Sequence, residues 1–404
     1  MTPRQALEAM FRAGVHSCVP RRVLPPRLPK PPPGRTIVLA VGKAAAGMAE
    51  VVEESWDGAL CGVAVAPHGI VAASLAVELI TAGHPIPDAA SVAAGERLLM
   101  LADEAGPDDL VLVLLSGGAS ALAAVPVEGV TLAEKQELTQ ALLRSGAPIA
   151  DVNCVRRHLS RIKGGRLGAA AQPARLVTLA ISDVAGDRPE DIGSGPTVAD
   201  PTTAAAAEAL LRSHSIPRPS RLSESVKPHE TARWRSRYEI VASAKDSVDA
   251  AAAEARRLGY RPQVIAYEAT GDAGLLANRH AALALESRAR TALISGGELT
   301  VAVTGCGQGG RNRHYALALA IALGDSGHIH ALAADTDGVD GVGRAAGAYV
   351  HPQTLQRAAR LGIDPVGALA ACDSGSFFEA LGDAIVTGPT GTNVNDLRII
   401  LIDP

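Results

Sequence analysis

Apolar runs of β-forming residues alternate along this chain with alanine-rich runs of helical period, and this alternation constrains the fold more than any other feature. TIVLAVG is followed by KAAAGMAEVVEESW, DDLVLVLLSGG by ASALAA, and YEIVASA by DSVDAAAAEARRLG. Strand and helix in turn predict an α/β fold with mainly parallel sheets. Its core must be aliphatic, because aromatics are 2% of the 404 residues while hydrophobic residues reach 47%. The polar, proline-containing stretch 213–237 breaks the rhythm and predicts a domain boundary. Beyond it LISGGELTVAVTG reads as two apolar runs joined by a tight Gly-Gly turn, so part of the second sheet is expected to be antiparallel. The seven prolines of residues 20–33 predict an extended surface connector.

Several function classes are disfavoured. A formal net charge of −4 and few aromatic rings argue against nucleic acid as a partner. Five cysteines stand far apart with no CxxC pair, which argues against a zinc knuckle and a disulfide framework. The N-terminal MTPRQALEAMFRAG lacks the apolar core of a signal peptide, and no apolar run approaches the roughly 18 residues of a membrane span, so a cytoplasmic protein is expected.

In open α/β sheets ligands bind at the carboxyl ends of strands, so the loops after each apolar run are where chemistry is expected. TIVLAVG ends in Gly42-Lys43, which sets an ammonium at a helix N-terminus, without the spacing of a Walker A loop. DLVLVLL ends in Ser116-Gly117-Gly118-Ala119-Ser120, small residues that let backbone amides and hydroxyls reach an oxyanion. LVTLAIS ends in Ser182-Asp183, followed by Gly186-Asp187 and by Gly193-Ser194-Gly195. Asp183 and Asp187 are candidate magnesium ligands, with an Asx turn or helix cap as the bland reading of Asp183.

The segment VNCVRRHLSRIKGGRLG (152–168) carries five Arg or Lys and no carboxylate. As a helix ended by Gly164-Gly165 it would bury Val155, Leu159 and Ile162 and place Arg156, Ser160 and Lys163 on the adjoining stripe, where Arg156 and Lys163 could clamp phosphate or carboxylate oxygens. Arg157 and Arg161 are expected on a solvated face. In the second half Gly305-Cys306-Gly307-Gln308-Gly309-Gly310 matches GxGxxG and precedes the helix-like RNRHYALALAIAL. That pattern supports a nicotinamide-dependent reductase, or more generally an anion site formed by a glycine nest with Arg311 opening the helix. Asp335, Asp337 and Asp340 then fall within six residues, and the polar turn Thr387–Asp396, with Asn393 and Asn395, reads as a binding surface.

Taken together, VGKAAAGMA, AGHPIPD, LLSGGASAL, VNCVRRHLSRIKGGRL, ISDVAGDRPEDIGSGPT, SGGELTV, GGRN, DTDGVDGVGRAAGA and VTGPTGTNVND resemble the class II glycerate 2-kinase family, from about Ala6 to the C-terminus. The resemblance implies two domains around a cleft: an N-terminal Rossmann-like α/β/α sandwich over 1–235 and a smaller mixed-sheet MOFRL domain over 236–404. It implies ATP-dependent phosphorylation of D-glycerate at its 2-hydroxyl with Mg²⁺, with Lys43 and Arg311 as the active-site cations. Ser116, Gly117, Gly118, Ser120, Arg156, Lys163, Ser194, Gly195, Gly309, Gly310, Asn312, Asp335, Asp337, Asn393 and Asn395 are the candidate binding residues, and Asp183 and Asp187 the candidate acids. Ala119 stands where the family commonly has a third glycine, and the basic pair Arg313-His314 replaces a usual glutamate at the second position. The partners expected are a small hydroxy acid and a nucleotide, with a homodimer compatible. A kinase of a related hydroxy acid, an NAD(P)H-dependent hydroxypyruvate reductase and a non-catalytic binding protein are the alternatives.

Overall fold

Six strands form the first sheet: β1 (Thr36–Val41), β2 (Leu60–Pro67), β3 (Glu78–Ala82), β4 (Leu110–Leu115), β5 (Arg175–Ile181) and β6 (Ser236–Ala242). Their order is β3-β2-β1-β4-β5-β6, and β1 with β2, β2 with β3, β1 with β4 and β4 with β5 all pair in parallel. This computed structural model describes residues 1–71 and 76–403. Central β1 and β4 are buried along their whole length, as strands covered on both faces must be. The winding direction reverses between them. At such a switch point the loops leave the two carboxyl ends in opposite directions and open a crevice.

The second sheet contains β7 (Arg261–Ala266), β8 (Thr291–Ser295), β9 (Ile329–Asp335), β10 (Gly347–Val350), β11 (Ala384–Ile385) and β12 (Asp396–Ile402) in the order β11-β10-β9-β12-β8-β7. β7 and β8 are parallel; the other pairs are antiparallel. The mixed sheet was expected, but its antiparallel part arises elsewhere than the Gly-Gly hairpin. After β8 the chain leaves the sheet; Thr300 forms an isolated parallel bridge with Asp272 outside the named strands, and β12 takes the place beside β8.

Packing divides the chain into residues 23–241 and residues 1–22 with 242–404, whereas the sequence suggested a division at 235/236. The opening helix Pro3–Ser17 buries Ala6, Leu7, Met10 and Phe11 in a cluster with Val248, Ala251 and Ala252 of helix Ala244–Arg257 and with Leu397, Ile399 and Leu401 of β12. Gly14 permits the approach, since a Cβ there would stand 2.7 Å from Leu397 Cδ2. Helix Arg311–Leu323 lies in the other cluster of this unit, with Tyr315 and Leu319 fully buried.

Three local expectations change. The proline-rich stretch is partly helical, at Pro20–Val23 and Pro25–Arg27, because proline suits a first helical turn. Residues 213–237 are laced onto the first unit: Val226 N–H donates to Gly164 O at 2.9 Å, and Arg166 Nη2 donates to the Ser223 and Glu224 carbonyls. The basic helix is shorter than predicted. It spans Ile149–His158, and Gly164-Gly165 precede a separate helix, Arg166–Ala170, instead of closing the first one.

Candidate functional site

In the first unit the switch point brings two predicted loops into direct contact. Lys43 N–H donates to Gly117 O at 2.8 Å and Ala44 N–H to Ser116 Oγ at 3.0 Å, so the turns after β1 and β4 are tied to each other. Close approach requires Gly42, where a Cβ would lie 2.1 Å from Ser116 Oγ. Gly118 has φ +85°, and a Cβ on it would meet His84 at 2.9 Å. His84 follows β3 within AGHPIPD and packs on the phosphate-binding turn proposed from sequence. Sequence reasoning singles out no residue of that stretch, although its position two residues past a strand end is a usable signal.

Ser120 and Ser194 are joined Oγ to Oγ at 2.7 Å, and Gly193, Ser194 and Gly195 all have positive φ. The Ser194 and Gly195 carbonyls accept from Gly164 and Gly165 N–H, so this turn also holds the segment after the basic helix. Asp183 and Asp187 are half-buried beyond β5, whose pairing with β4 through Leu115 and Ala180 brings Ser182-Asp183 out at the same sheet end as Ser116. Burial, and then the charges of Asp187 and Glu190, raise the pKa of Tyr238.

The basic segment divides differently from its predicted stripes. Arg157 is 4% exposed and paired with Asp191 and Asp200 at 3.3 and 3.0 Å, contrary to the expected solvated position. Burial of that kind holds a guanidinium only with carboxylates beside it. Arg161 is half-exposed and bound to Glu96. Lys163 is 2% exposed, with Nζ donating to the Ser120 and Ala123 carbonyls at 2.8 and 2.9 Å. It therefore braces the end of the short Ala119–Leu122 helix. Arg156 is half-buried, with Nη1 on Asn153 Oδ1 at 3.4 Å. Lys135, which sequence reasoning passes over, is buried with Nζ on Leu159 O at 3.1 Å. Desolvation and then the charges of Arg156 and Arg166 push its pKa down to about 7, while burial followed by Lys135 and Arg156 lowers that of Lys163. Burial and mutual repulsion thus favour the neutral amine at both lysines.

In the second unit the β9–β12 register sets Asp335 opposite Asp396. Arg311 lies against both: Nη2 donates to Asp335 Oδ2 at 2.7 Å, Nε to Asp396 Oδ1 at 2.9 Å, and Nη1 to Glu298 at 2.6 Å. Despite desolvation, these acids raise the Arg311 pKa, so the guanidinium stays charged. Burial, then repulsion from Asp396 and Asp337, raises that of Asp335 well above the carboxylate range. Asn312 Nδ2 donates to Asp396 at 2.7 Å, and Arg398 binds the same carboxylate from the other side at 3.0 Å.

The glycine run packs closely against neighbouring segments. Gly305, Gly307 and Gly310 pack where a Cβ would fall 2.2 Å from Ala371 O, 2.4 Å from Asp373 Cβ and 2.3 Å from Asp340 Cγ. Gly309 likewise adjoins Ser374 Oγ at 2.6 Å. The helix N-terminus that follows is occupied: Asp340 accepts from Asn312 N–H and Arg313 N–H at 2.9 and 3.0 Å. The anion at this helix end is thus the protein's own carboxylate. Arg313 is 1% exposed and donates to Asp340 Oδ2 at 3.1 Å. Asp337 forms an Asx turn with Val339 N–H, and Asn393 Oδ1 accepts from Asn395 N–H at 3.2 Å beneath the Thr387–Asp396 turn. Among the described residues no group of three or more His, Cys, Asp or Glu is placed to hold a metal, and no helix is long and apolar enough to cross a membrane.

Comparison with known proteins adds an independent line. Residues 6–229 match the family described as Domain of unknown function (DUF4147), and residues 291–396 match the MOFRL family. The chain is 38% identical to the D-glycerate 2-kinase of Thermotoga maritima over 99% of this chain and 96% of that protein. It is 44% identical to an Agrobacterium vitis protein named "Putative hydroxypyruvate reductase", over 100% of this chain and 95% of that one. The crystal structure of a Thermotoga maritima glycerate kinase superposes with a TM-score of 0.89 at 34% identity, covering 99% of this chain and 100% of that one.

Proposed function

Since the chain belongs to the glycerate kinase family, with its DUF4147 and MOFRL regions, we propose that it transfers the γ-phosphoryl group of ATP to the 2-hydroxyl of D-glycerate. The observation that carries this reading is the tie between Gly42-Lys43 and Ser116-Gly117-Gly118 at the β1/β4 switch point. Phosphoryl transfer requires positioning and charge neutralisation more than covalent work. Backbone amides of the Gly117-Gly118 turn and the Ser120 hydroxyl would hold oxygens of the anionic reactants, Lys43 and Arg156 would neutralise them, and Lys163 would keep the turn in place. Arg311, aligned by Asp335, Asp396 and Glu298, is the proposed catalytic cation of the second unit, with Asn312 steadying Asp396.

Magnesium bound through phosphates asks for only one or two protein carboxylates. Asp183 and Asp187 fit that modest requirement at the sheet end that carries Ser116. Bound there, Mg²⁺ would supply neutralisation of phosphate charge. One of the same two carboxylates is the candidate acceptor of the hydroxyl proton.

The test is ADP formation from ATP, Mg²⁺ and D-glycerate, with the product's phosphorus resonance distinguishing 2- from 3-phosphoglycerate. A parallel reaction holds hydroxypyruvate and NAD(P)H. Lys43→Ala and Arg311→Ala should each lower kcat on the order of 10²-fold or more, as loss of a preorganised charge-stabilising group does. Oxidation of the nicotinamide without ADP formation would overturn the kinase reading. Full turnover in both folded variants would overturn the residue assignment.

A further inference from the structure

Cys306 and Cys372 stand 66 positions apart in sequence, yet the chain on both sides of each is in contact in the fold. Gly307 N–H donates to Ala371 O at 3.1 Å, and a Cβ on Gly305 would lie 2.2 Å from that same oxygen. On the other flank, a Cβ on Gly307 would lie 2.6 Å from Asp373 Cα, and Gln308 N–H donates to Asp373 Oδ1 at 2.8 Å. The two cysteines therefore lie on adjoining segments, both free, Cys306 exposed and Cys372 partly so.

Their surroundings are unequal. Thr304 and Gly305 direct backbone N–H groups at the Cys372 sulfur, which lowers its pKa, and the Thr304 hydroxyl stands 3.9 Å away. Hydrogen-bond donors aimed at a sulfur favour the thiolate, the nucleophilic form. Cys18 and Cys154 are buried, and desolvation pushes the first up to about 12 and raises the second. Cys372 also has a left-handed backbone, φ 56°, as a residue seldom does unless its neighbours fix it.

We propose that Cys306 and Cys372 are a thiol pair that small hydroperoxides oxidise to a disulfide. Cys372 thiolate attacks one peroxide oxygen. A sulfur–oxygen bond forms, the oxygen–oxygen bond breaks, and the departing oxygen leaves as water or an alcohol after taking a proton. Cys306 sulfur then attacks the resulting sulfenic sulfur, forming the sulfur–sulfur bond and releasing hydroxide, which leaves as water with the Cys306 proton. The two thiols lose two electrons and two protons while the hydroperoxide is reduced. The bridge would fasten the loop that leads into Arg311 to the segment 371–373. This pair is independent of the kinase assignment.

Hydrogen peroxide added to the reduced full-length protein should give an intact mass lower by two hydrogens and a peptide pair joining residues 306 and 372, both reversed by dithiothreitol. In Cys306→Ser the sulfenic acid on Cys372 should persist and be trapped by dimedone; in Cys372→Ser neither product should form. Iodoacetamide at neutral pH should modify Cys372 at least about tenfold faster than Cys18 or Cys154. A bridge between separate chains, oxidation centred on another cysteine, or unchanged peroxide consumption by Cys372→Ser would overturn the proposal.

Discussion

At the scale of single residues, cations that look alike in VNCVRRHLSRIKGGRLG have entirely different surroundings. Arg157 is a buried ion-paired strut, Arg161 a surface ion pair, Lys163 a brace for two carbonyls, and Arg156 a half-buried charge. Sequence periodicity identifies a basic segment facing a core, but it assumes one continuous helix, and the break after His158 redistributes every later side chain. Lys135 carries a testable consequence. Folded, it loses its proton near pH 7; unfolded, it keeps it to about pH 10.5. Between those values the unfolded chain binds more protons, so stability rises with pH in this window and the gain is lost on lowering pH towards 7. Lys135→Met should remove that term. Denaturant midpoints of wild type and variant, measured from pH 7 to pH 9.5, should diverge in favour of wild type as pH increases.

At the scale of elements, the parallel strands and the loops after β1, β4 and β5 were legible because an apolar β-forming run that stops at glycine and hydroxyl residues suits a buried strand turning into a tight loop and suits little else. The GxGxxG run was not. Its spacing says nothing about which group fills the helix end, and the answer, Asp340, lies 30 positions beyond Gly310. Asp340 caps helix Arg311–Leu323 and neutralises the buried Arg313 at the same time. Asp340→Ala leaves that guanidinium without a counter-charge and should destabilise the second unit by about 3–5 kcal/mol, the cost of breaking a buried pair from one side. Chemical denaturation would measure it; a loss below about 1 kcal/mol, the worth of a surface pair, would refute the buried role. The missing hairpin has a similar cause. VAVT has strand propensity, but the position beside β8 belongs to β12, whose run of seven buried residues outcompetes it.

For the whole molecule, composition and alternation were enough to read two α/β units with one mixed sheet, and the matched families and superposed kinase agree with that reading. Hidden from sequence was the allegiance of the first helix, which depends on contacts with residues more than two hundred positions away. Leu7, Met10 and Phe11 are each at most 4% exposed. At about 1.5–3 kcal/mol for each large apolar side chain buried, their loss is comparable with the stability of a domain. Deleting residues 1–22 should therefore lower the melting temperature of the second unit and expose its β12 face to hydrophobic dyes. Hydrogen exchange would locate the damage in Ala244–Arg257 and β12. Unchanged protection there would contradict this packing.

That allegiance also bears on biosynthesis. The amphipathic opening helix leaves the ribosome ahead of residues 23–241, but its docking surface is not translated until after residue 240, so an entire domain emerges while Leu7, Met10 and Phe11 remain uncovered. Nascent chains stalled before that point should present this greasy stripe to chaperones, and release of the completed polypeptide should withdraw it.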